Sequence, residues 1–485
     1  MSETVLKVAE IKAAELKAAE YGLNEDILIE NAAAALKDRV TALQPRGKVC
    51  VLAGGGNNGA DGLSLVRMQY LSGVKVELIY TGGTPNSYAG ARLNACRALG
   101  VPEIAPDNFE PQNYALIVDA MLGTGCTRPL EGIVKEIVKK LNASDVFTLS
   151  VDIPTGLNAD TGEAELSVEA DETLTFSCVK SGMLLSSGRN YCGKITVADI
   201  GVRADGKIKL ITESDAKLPK RKTVCHKYDY GKVRVVAGSP EMIGAALLAH
   251  ESAVAALSSG AGLCTLCVPS SLREAYQARV KEETLCFLPD SGGKIIYDEN
   301  ALSALFDRTG AILIGPGMGM NPELKKIILY IAKNFNGTLV IDADGLNAFK
   351  GDAKALNGSK AKLILTPHIG EFNRLCEGVS FPENATLADK VAELCKITGA
   401  VIACKSATTV ISDGNEIYLN TTGTPALSKG GSGDVLGGMI AAFSLRQPPL
   451  KAAICGCYHF GASAERAEKL YGTESLLASQ ILINS

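Results

Sequence analysis

Ser428-Lys429-Gly430-Gly431-Ser432-Gly433-Asp434 runs directly into Val435-Leu436-Gly437-Gly438-Met439-Ile440. The sequence reads as a glycine-rich turn opening a buried helix. The first N–H groups of such a helix have no intrahelical partner, and together with the helix dipole they favour an anion. Asp434 stands at the junction, where a carboxylate can take a proton from an alcohol that faces a bound phosphate. The pattern points to phosphoryl transfer to a hydroxyl.

Short β-rich runs alternate with longer amphipathic stretches on both sides of the centre of the chain, which is the mark of α/β layering. Expected strands in the first part are 48–53, 74–80, 115–120, 147–151, 172–176 and 194–199. Several end in glycine-rich or polar turns, where open α/β sheets bind ligands. The alternation lapses over Glu213–Lys222, a polar stretch containing Pro219 and the basic cluster from Lys217 to Lys222. This is read as an inter-domain linker, giving domains at 1–212 and 223–485 around a linker at 213–222. Strands resume at 233–237, 311–314, 338–341, 362–365 and 400–404. A pair at 409–411 and 416–419, split by Ser412-Asp413-Gly414-Asn415, is a hairpin signal.

The 485 residues exceed one ordinary domain. With 46% apolar and 21% charged residues, the composition is that of a soluble globular protein. The absence of Trp and the aromatic content of 5% argue against stacking platforms for single-stranded nucleic acid. A net charge of −4 implies no pull toward nucleic acid or anionic membrane. No bilayer-length apolar run and no signal-peptide order are visible, and the 14 scattered cysteines read as reduced thiols, so a cytoplasmic protein is expected. Cys264 and Cys267 form a CxxC inside a strand-like run. Their side chains would then point to opposite faces, which does not suit zinc.

In the first half, Gly54-Gly55-Gly56-Asn57-Asn58-Gly59-Ala60-Asp61-Gly62 follows the first strand. Glycines allow close approach of a ligand to the backbone, and two Asn amides suit a polar ligand or a hard cation. Two further strand ends carry an Asp beside Gly: Asp119-Ala120-Met121-Leu122-Gly123-Thr124-Gly125, and Val151-Asp152-Ile153-Pro154-Thr155-Gly156. Asp152 is the better base candidate because no basic residue adjoins it in sequence. Asp119, the Asn58 side-chain oxygen and a Thr155 oxygen are candidates to hold a monovalent cation.

These motifs, with Ile29-Glu30-Asn31-Ala32-Ala33, Thr175-Phe176 and Lys180-Ser181-Gly182, resemble the NAD(P)H-hydrate epimerase domain over residues 5–205. The resemblance implies a Rossmann-like three-layer domain. It also implies that Asn57, Asn58, Gly59, Ala60 and Asp61 contact a hydrated nicotinamide nucleotide, as do Gly123, Thr124, Gly125, Cys126, Thr127, Arg128 and Pro129. Asp152 would act in catalysis, and Asn58, Asp119 and Thr155 would hold K+. Ala60 and Ala33 replace glycines usual in the family, and a methyl at Ala60 asks for a negative φ.

In the second half, His226-Lys227 and Asp229-Tyr230-Gly231 precede a strand, and Gly244-Ala245-Ala246 follows it. Gly315-Pro316-Gly317-Met318-Gly319 and Thr366-Pro367-His368-Ile369-Gly370-Glu371 are further strand-end turns. Asp342-Ala343-Asp344 could bind Mg2+ with nucleotide phosphates or cap a helix. Lys405-Ser406-Ala407-Thr408-Thr409 suits a phosphate or ribose, or is a polar strand end with a solvated lysine. No Walker pattern is present. In this order the motifs resemble the NAD(P)H-hydrate dehydratase family over residues 222–484, which implies a ribokinase-like three-layer α/β domain. By that resemblance Ala245, Gly319 and His368 contact the hydrate, Lys405, Ser406, Ala407, Thr408, Thr409 and Gly433 contact ADP or ATP, and Asp434 activates the hydrate's hydroxyl. The family's Lys-Gly is Lys405-Ser406 here, and its His-Lys-Gly is His226-Lys227-Tyr228.

The expected activity is repair of hydrated NADH and NADPH, by epimerisation and then nucleotide-driven dehydration of the S form. K+ and Mg2+ are the expected ions. The partners are small molecules, with no nucleic acid or membrane among them, and a homo-oligomer is expected. Two rivals remain open to the sequence: a small-molecule kinase with an appended nucleotide-binding domain, and a non-catalytic N-terminal module that binds a partner or RNA.

Overall fold

The computed structural model describes residues 4–240, 243–278 and 280–482, with side chains throughout those ranges except at 243–249. The chain divides into two compact units, Met1–Lys209 and Leu210–Ser485.

In the first unit six parallel strands form one sheet: β1 (Val49–Ala53), β2 (Val76–Tyr80), β3 (Leu116–Ala120), β4 (Thr148–Val151), β5 (Glu172–Phe176) and β6 (Lys194–Ala198). Their spatial order is β2-β1-β3-β4-β5-β6. The inner strands β1, β3, β4 and β5 are buried on both faces, so β1 and β3 read as nearly continuous apolar runs rather than as an alternation, while the edge strand β6 is only half-buried. Val49, Val51 and Ala53 of β1 pack with helices Glu25–Leu43 and Asn57–Leu71. Cys50 and Leu52 pack on the opposite side with helix Gly132–Asn142. The result is a three-layer, doubly wound domain. The strand order reverses between β1 and β3, and the crevice at their carboxyl ends is where such sheets bind ligands.

In the second unit the main sheet contains β7 (Lys232–Val236), β8 (Leu263–Pro269), β9 (Thr284–Leu288), β10 (Ala311–Ile314), β11 (Thr338–Ile341), β12 (Lys362–Leu365), β13 (Val401–Cys404), β14 (Thr409–Ser412) and β15 (Ile417–Asn420), and Asp290–Ser291 pairs with Lys294–Ile295 in a separate small hairpin. Their order is β9-β8-β7-β10-β11-β12-β13-β14-β15, parallel from β9 to β13 and antiparallel beyond it. The hairpin expected near residues 409–419 is β14–β15, with Ser412 paired to Ile417. Here the reversal lies between β7 and β10. Cys264 and Cys267 both lie buried on β8, and among the described residues all 14 cysteines are free thiols. No helix among the described residues is long and apolar enough to cross a membrane.

The polar stretch after residue 212 is partly drawn onto the second unit. Ala216 is buried, its carbonyl accepts from His459 Nε2 at 2.8 Å, and Lys451 Nζ donates to the Asp215 carbonyl.

Helix Ser432–Phe443 is nearly all buried because it is sandwiched between the sheet and its neighbours. Gly438 makes this possible: a Cβ there would lie 2.1 Å from the Ser252 carbonyl oxygen. Gly438→Ala adds helix propensity of about 1 kcal/mol, but the clash outweighs it and should destabilise the second unit by roughly 1–3 kcal/mol. Calorimetry should show its melting midpoint lowered by about 2–4 °C per kcal/mol. Gly83→Ala, in open space in the first unit, should leave both transitions in place.

Candidate functional sites

The loop after β1 is shorter than the sequence suggests. Gly56 caps a helix that already begins at Asn57, so Asn57 to Asp61 form its first turn and Ala60 is helical. Gly59 lets this turn lie against the preceding loop, since a Cβ there would stand 1.9 Å from the Gly54 carbonyl oxygen. Gly59 and Ala60 are therefore packing positions, buried behind the wall that Asn57, Asn58 and Asp61 present to a cavity of about 1120 Å3. The segment 123–129 lines the same cavity, as do Asp152, Ser177 and Lys180. One wall comes from helix Val8–Glu20, which supplies Lys12 and Glu15. Sequence motifs gave no signal for either.

Asp152 follows β4 directly with φ +63°, a left-handed conformation rare outside glycine. The strain is held by anchors: Asp152 Oδ1 accepts from the Phe176 N–H at 3.2 Å, from Thr175 Oγ1 at 3.3 Å, and from Lys180 Nζ. Lys180 is 1% exposed and also donates to Thr175 Oγ1 at 2.7 Å and to the Phe176 carbonyl at 3.1 Å. The absence of a basic neighbour in sequence was therefore a poor guide. Asp152 has a cation 28 residues away in the chain and in direct contact.

Asp119 is fully buried at the end of β3 beneath the cavity. It accepts from Thr155 Oγ1 at 2.6 Å, the Thr155 N–H at 2.9 Å, Ser150 Oγ at 2.9 Å and the Met121 N–H at 3.3 Å. Burial raises its carboxyl above the ordinary range, against the pull of these donors. Asn58 donates to the Leu122 carbonyl at 3.1 Å, and its own Oδ1 is buried without a hydrogen-bond partner. One carboxylate, one hydroxyl and an orphaned amide oxygen are a donor set for a weakly charged hard cation. No cluster of three His, Cys, Asp or Glu that could hold a metal occurs among the described residues.

In the second unit, the carboxyl ends of β11, β12 and β13 converge on the start of helix Ser432–Phe443. Lys405, just after β13, donates to Asp342 Oδ1 at 2.8 Å, and Asp342 is 2% exposed. Burial would lower the Lys405 ammonium, but Asp342 and Glu371 outweigh it and hold it above its usual value. A Cβ on Gly433 would stand 3.2 Å from Lys405 Nζ, so the glycine brings this helix start against the ion pair. Asp434 lies on the first helical turn. Burial, then the Asp342 charge, push its carboxyl to about 7, with Lys405 pulling the other way. Lys429 is turned aside, with Nζ on the carbonyls of Glu474 and Leu476.

The other second-unit candidates are placed as follows. Asp342 pairs with Lys405, and Asp344 Oδ2 accepts from the Gly319 N–H at 2.8 Å, so neither caps a helix. Ala343 between them has φ +50°. His368 is itself a helix cap: its Nδ1 accepts from the N–H groups of Gly370 at 2.9 Å and Glu371 at 3.3 Å, and its Nε2 lies 3.4 Å from Glu371 Oε1. Its backbone bridges to Lys405, bringing those two strand ends together. Ser406 and Ala407 are exposed, while Thr408 Oγ1 is buried without a partner. Ala245 falls on helix Ile243–Ser258 at a position whose side chain is outside the described residues.

The fold and these two sites define a two-domain α/β enzyme class that handles nucleotides with buried carboxylates. Residues 233–484 match the family model described as NAD(P)H-hydrate dehydratase, and residues 25–182 match the YjeF-related protein N-terminus. Two relatives, each named a bifunctional NAD(P)H-hydrate repair enzyme, extend over nearly the whole length. That of Thermofilum pendens is 32% identical over 99% of this chain and 94% of its own. That of Archaeoglobus fulgidus is 33% identical over 93% and 91%. A solved ADP/ATP-dependent NAD(P)H-hydrate dehydratase from Bacillus subtilis, co-crystallised with ATP/Mg2+, is 30% identical and covers 56% of this chain and 92% of its own, with a TM-score of 0.47. The chain belongs to the family of bifunctional NAD(P)H-hydrate repair enzymes.

The environment of Asp434 has a measurable consequence. Between the ordinary carboxylate value of 3.8 and about 7, the folded chain holds a proton there that the unfolded chain has lost. Stability therefore falls as pH rises through that window. Asp434→Asn should melt higher than the parent chain at pH 8 and nearly with it at pH 4. Equal melting shifts at both values would contradict the burial described here.

Proposed function

We propose that this chain repairs hydrated NADH and NADPH in two steps, epimerisation in the first unit and dehydration of the S form in the second. We assign the first step to residues 1–212 and the second to residues 223–485. The observation that carries the reading is Asp434: a base poised near neutrality on a glycine-opened helix start, in a chain whose other unit holds a separate nucleotide-sized cavity lined by both polar and apolar residues.

In the second unit, Asp434 takes the proton of the hydrate's hydroxyl at C6 of the nicotinamide ring. The freed oxygen attacks the terminal phosphorus of ADP or ATP, and the bond from that phosphorus to the nucleotide breaks. Phosphate then departs with the C6–O electrons, the ring nitrogen supports the resulting carbon, and loss of the C5 proton re-forms the double bond. Backbone N–H groups around Gly433 and the Lys405 ammonium offset the charge of the transferring group. Lys405, Ser406, Ala407, Thr408 and Thr409 would take the nucleotide, and Ala245, Gly319 and His368 the hydrate. Asp342 is neutralised by Lys405 and Asp344 is engaged with Gly319, so Mg2+ would arrive with the nucleotide phosphates rather than in a protein cage.

In the first unit, Asp152 handles the proton of the same hydroxyl, with Lys180 as the residue that positions it. Asn57, Asn58, Asp61 and the segment 123–129 would hold the nucleotide. Asn58, Asp119 and Thr155 fit K+, a reading supported by the unpartnered Asn58 oxygen. The proposal includes a cytoplasmic homo-oligomer acting on small molecules alone. The net charge of −4 agrees with the lack of a nucleic-acid or membrane partner.

Asp434→Ala should lower restoration of the reduced-nicotinamide absorbance by about 100-fold or more while sparing exchange of the R and S forms. Asp152→Ala should do the reverse. A stable phosphorylated hydrate released by the parent chain would favour the kinase reading instead. Epimerisation should depend on K+ over Li+, and Asn58→Ala should weaken that dependence, as read from initial rates across a salt series.

A further inference from the structure

Asp61 is a carboxyl group of the first unit that the scheme above leaves without a chemical task. It is 8% exposed and sits on the cavity wall. Neither of its oxygens takes part in a hydrogen bond or ion pair within the described structure. A carboxyl group removed from water and left without a donor is costly as an anion. The groups around it add to this: Asp152 and Glu15 repel a negative charge there, and Arg92 and Lys180 offset them only in part. Arg92 is occupied elsewhere, by Ser64 Oγ at 2.8 Å, Asp26 at 3.2 Å and Glu30 at 3.4 Å. Lys180 is bound to Asp152. Burial leads the causes that hold the Asp61 carboxyl well above its usual range. Two of the carboxyl groups that line the cavity thus have opposite surroundings: Asp152 with a cation in contact, Asp61 with none. Such a divergence marks an acid and a base.

We propose that Asp61 is the proton donor of the epimerisation, working with Asp152 as the acceptor; this rests on the reading of the cavity given above. Asp61 gives its proton to the C6 hydroxyl, the C6–O bond breaks, and water leaves. The ring nitrogen's lone pair forms a C=N bond and makes C6 planar. Water adds to the opposite face, its oxygen forms the new C6–O bond, and Asp152 takes the proton released. The next turnover in the reverse sense, or exchange with solvent, restores the starting protonation, so no other reactant is consumed.

Asp61→Asn keeps the size and an N–H donor but has no proton to transfer. In the full-length chain it should lower kcat for epimerisation by about 100-fold or more, leave KM within a few-fold, and leave dehydration of the S form unchanged as a control for folding. An Asn variant with kcat within a few-fold of the parent chain would reduce Asp61 to a binding residue and overturn the proposal. A second measurement needs no variant. In water enriched in oxygen-18, the parent chain should place the heavy isotope in the C6 hydroxyl of the epimerised product, faster than the uncatalysed exchange. Epimerisation with full retention of the original oxygen would overturn the C–O cleavage and the donor role with it. A parent chain with no epimerase activity at all would instead remove the reading of the cavity on which the proposal rests.

Discussion

A carboxylate buried at the end of a strand costs several kcal/mol unless a cation or a full set of hydrogen-bond donors comes with it. Both units meet that constraint in the same way. Asp152, after β4, is held by Lys180, and Asp342, at the end of β11, is held by Lys405. In each case the lysine comes from another chain segment, Lys180 from the short strand Val179–Lys180 that pairs with Thr4–Leu6 outside the six-stranded sheet and Lys405 from the residue after β13, so the pair ties two segments together. Each lysine is then spent. A second carboxyl nearby, Asp61 in one unit and Asp434 in the other, is left without a cation in contact and is pushed upward by burial and by its charged neighbour. The ion pair thus fixes the loops and sets the proton affinity of the group beside it.

This division of labour also explains the strained backbone. Asp152 and Ala343, each next to or part of a paired carboxylate, adopt positive φ without being glycine. Such conformations persist only where surrounding contacts over-determine them. At Asp152 those contacts are visible: a backbone N–H, a hydroxyl and an ammonium all converge on one carboxylate oxygen.

The layered fold was legible because parallel strands buried on both faces leave continuous apolar runs, and the turns after them are rich in glycine. All six strands of the first sheet and eight of the second unit's strands correspond to runs read in the sequence. Strand β8 was read only through its two cysteines, and β9 was not singled out, since nothing in its flanks resembles a ligand turn. The catalytic candidates were legible in proportion to how local they are. Asn57, Asn58, Asp61 and Asp434 sit in compact glycine-rich motifs. Lys180 was quoted only as part of a motif, because its role depends on a contact across 28 residues, and Lys12 and Glu15 belong to a helix with no motif at all. His368 shows the converse. Its position on a strand-end turn was readable, but only the structure shows that its Nδ1 already serves the backbone of its own helix.

The two sites can be understood as two answers to one difficulty, that hydroxide is a poor leaving group. A proton delivered by a buried, uncharged carboxyl makes the departing group water. That is reversible and suits the interchange of two epimers of equal oxidation and hydration. A phosphoryl group makes the departing group phosphate, at the cost of a nucleotide, and drives the reaction toward the restored double bond. The first answer needs a carboxyl that keeps its proton near neutrality, and the second needs one that gives its proton up there. Burial, with the charges of Asp152 and Glu15 nearby, shifts Asp61 in the direction of the former. At Asp434, burial and Asp342 are opposed by Lys405, which leaves the carboxyl at about 7, where the charged form is available as a base. The same physical terms, differently balanced, therefore set the two carboxyl groups apart, in keeping with the acid and base roles proposed for them.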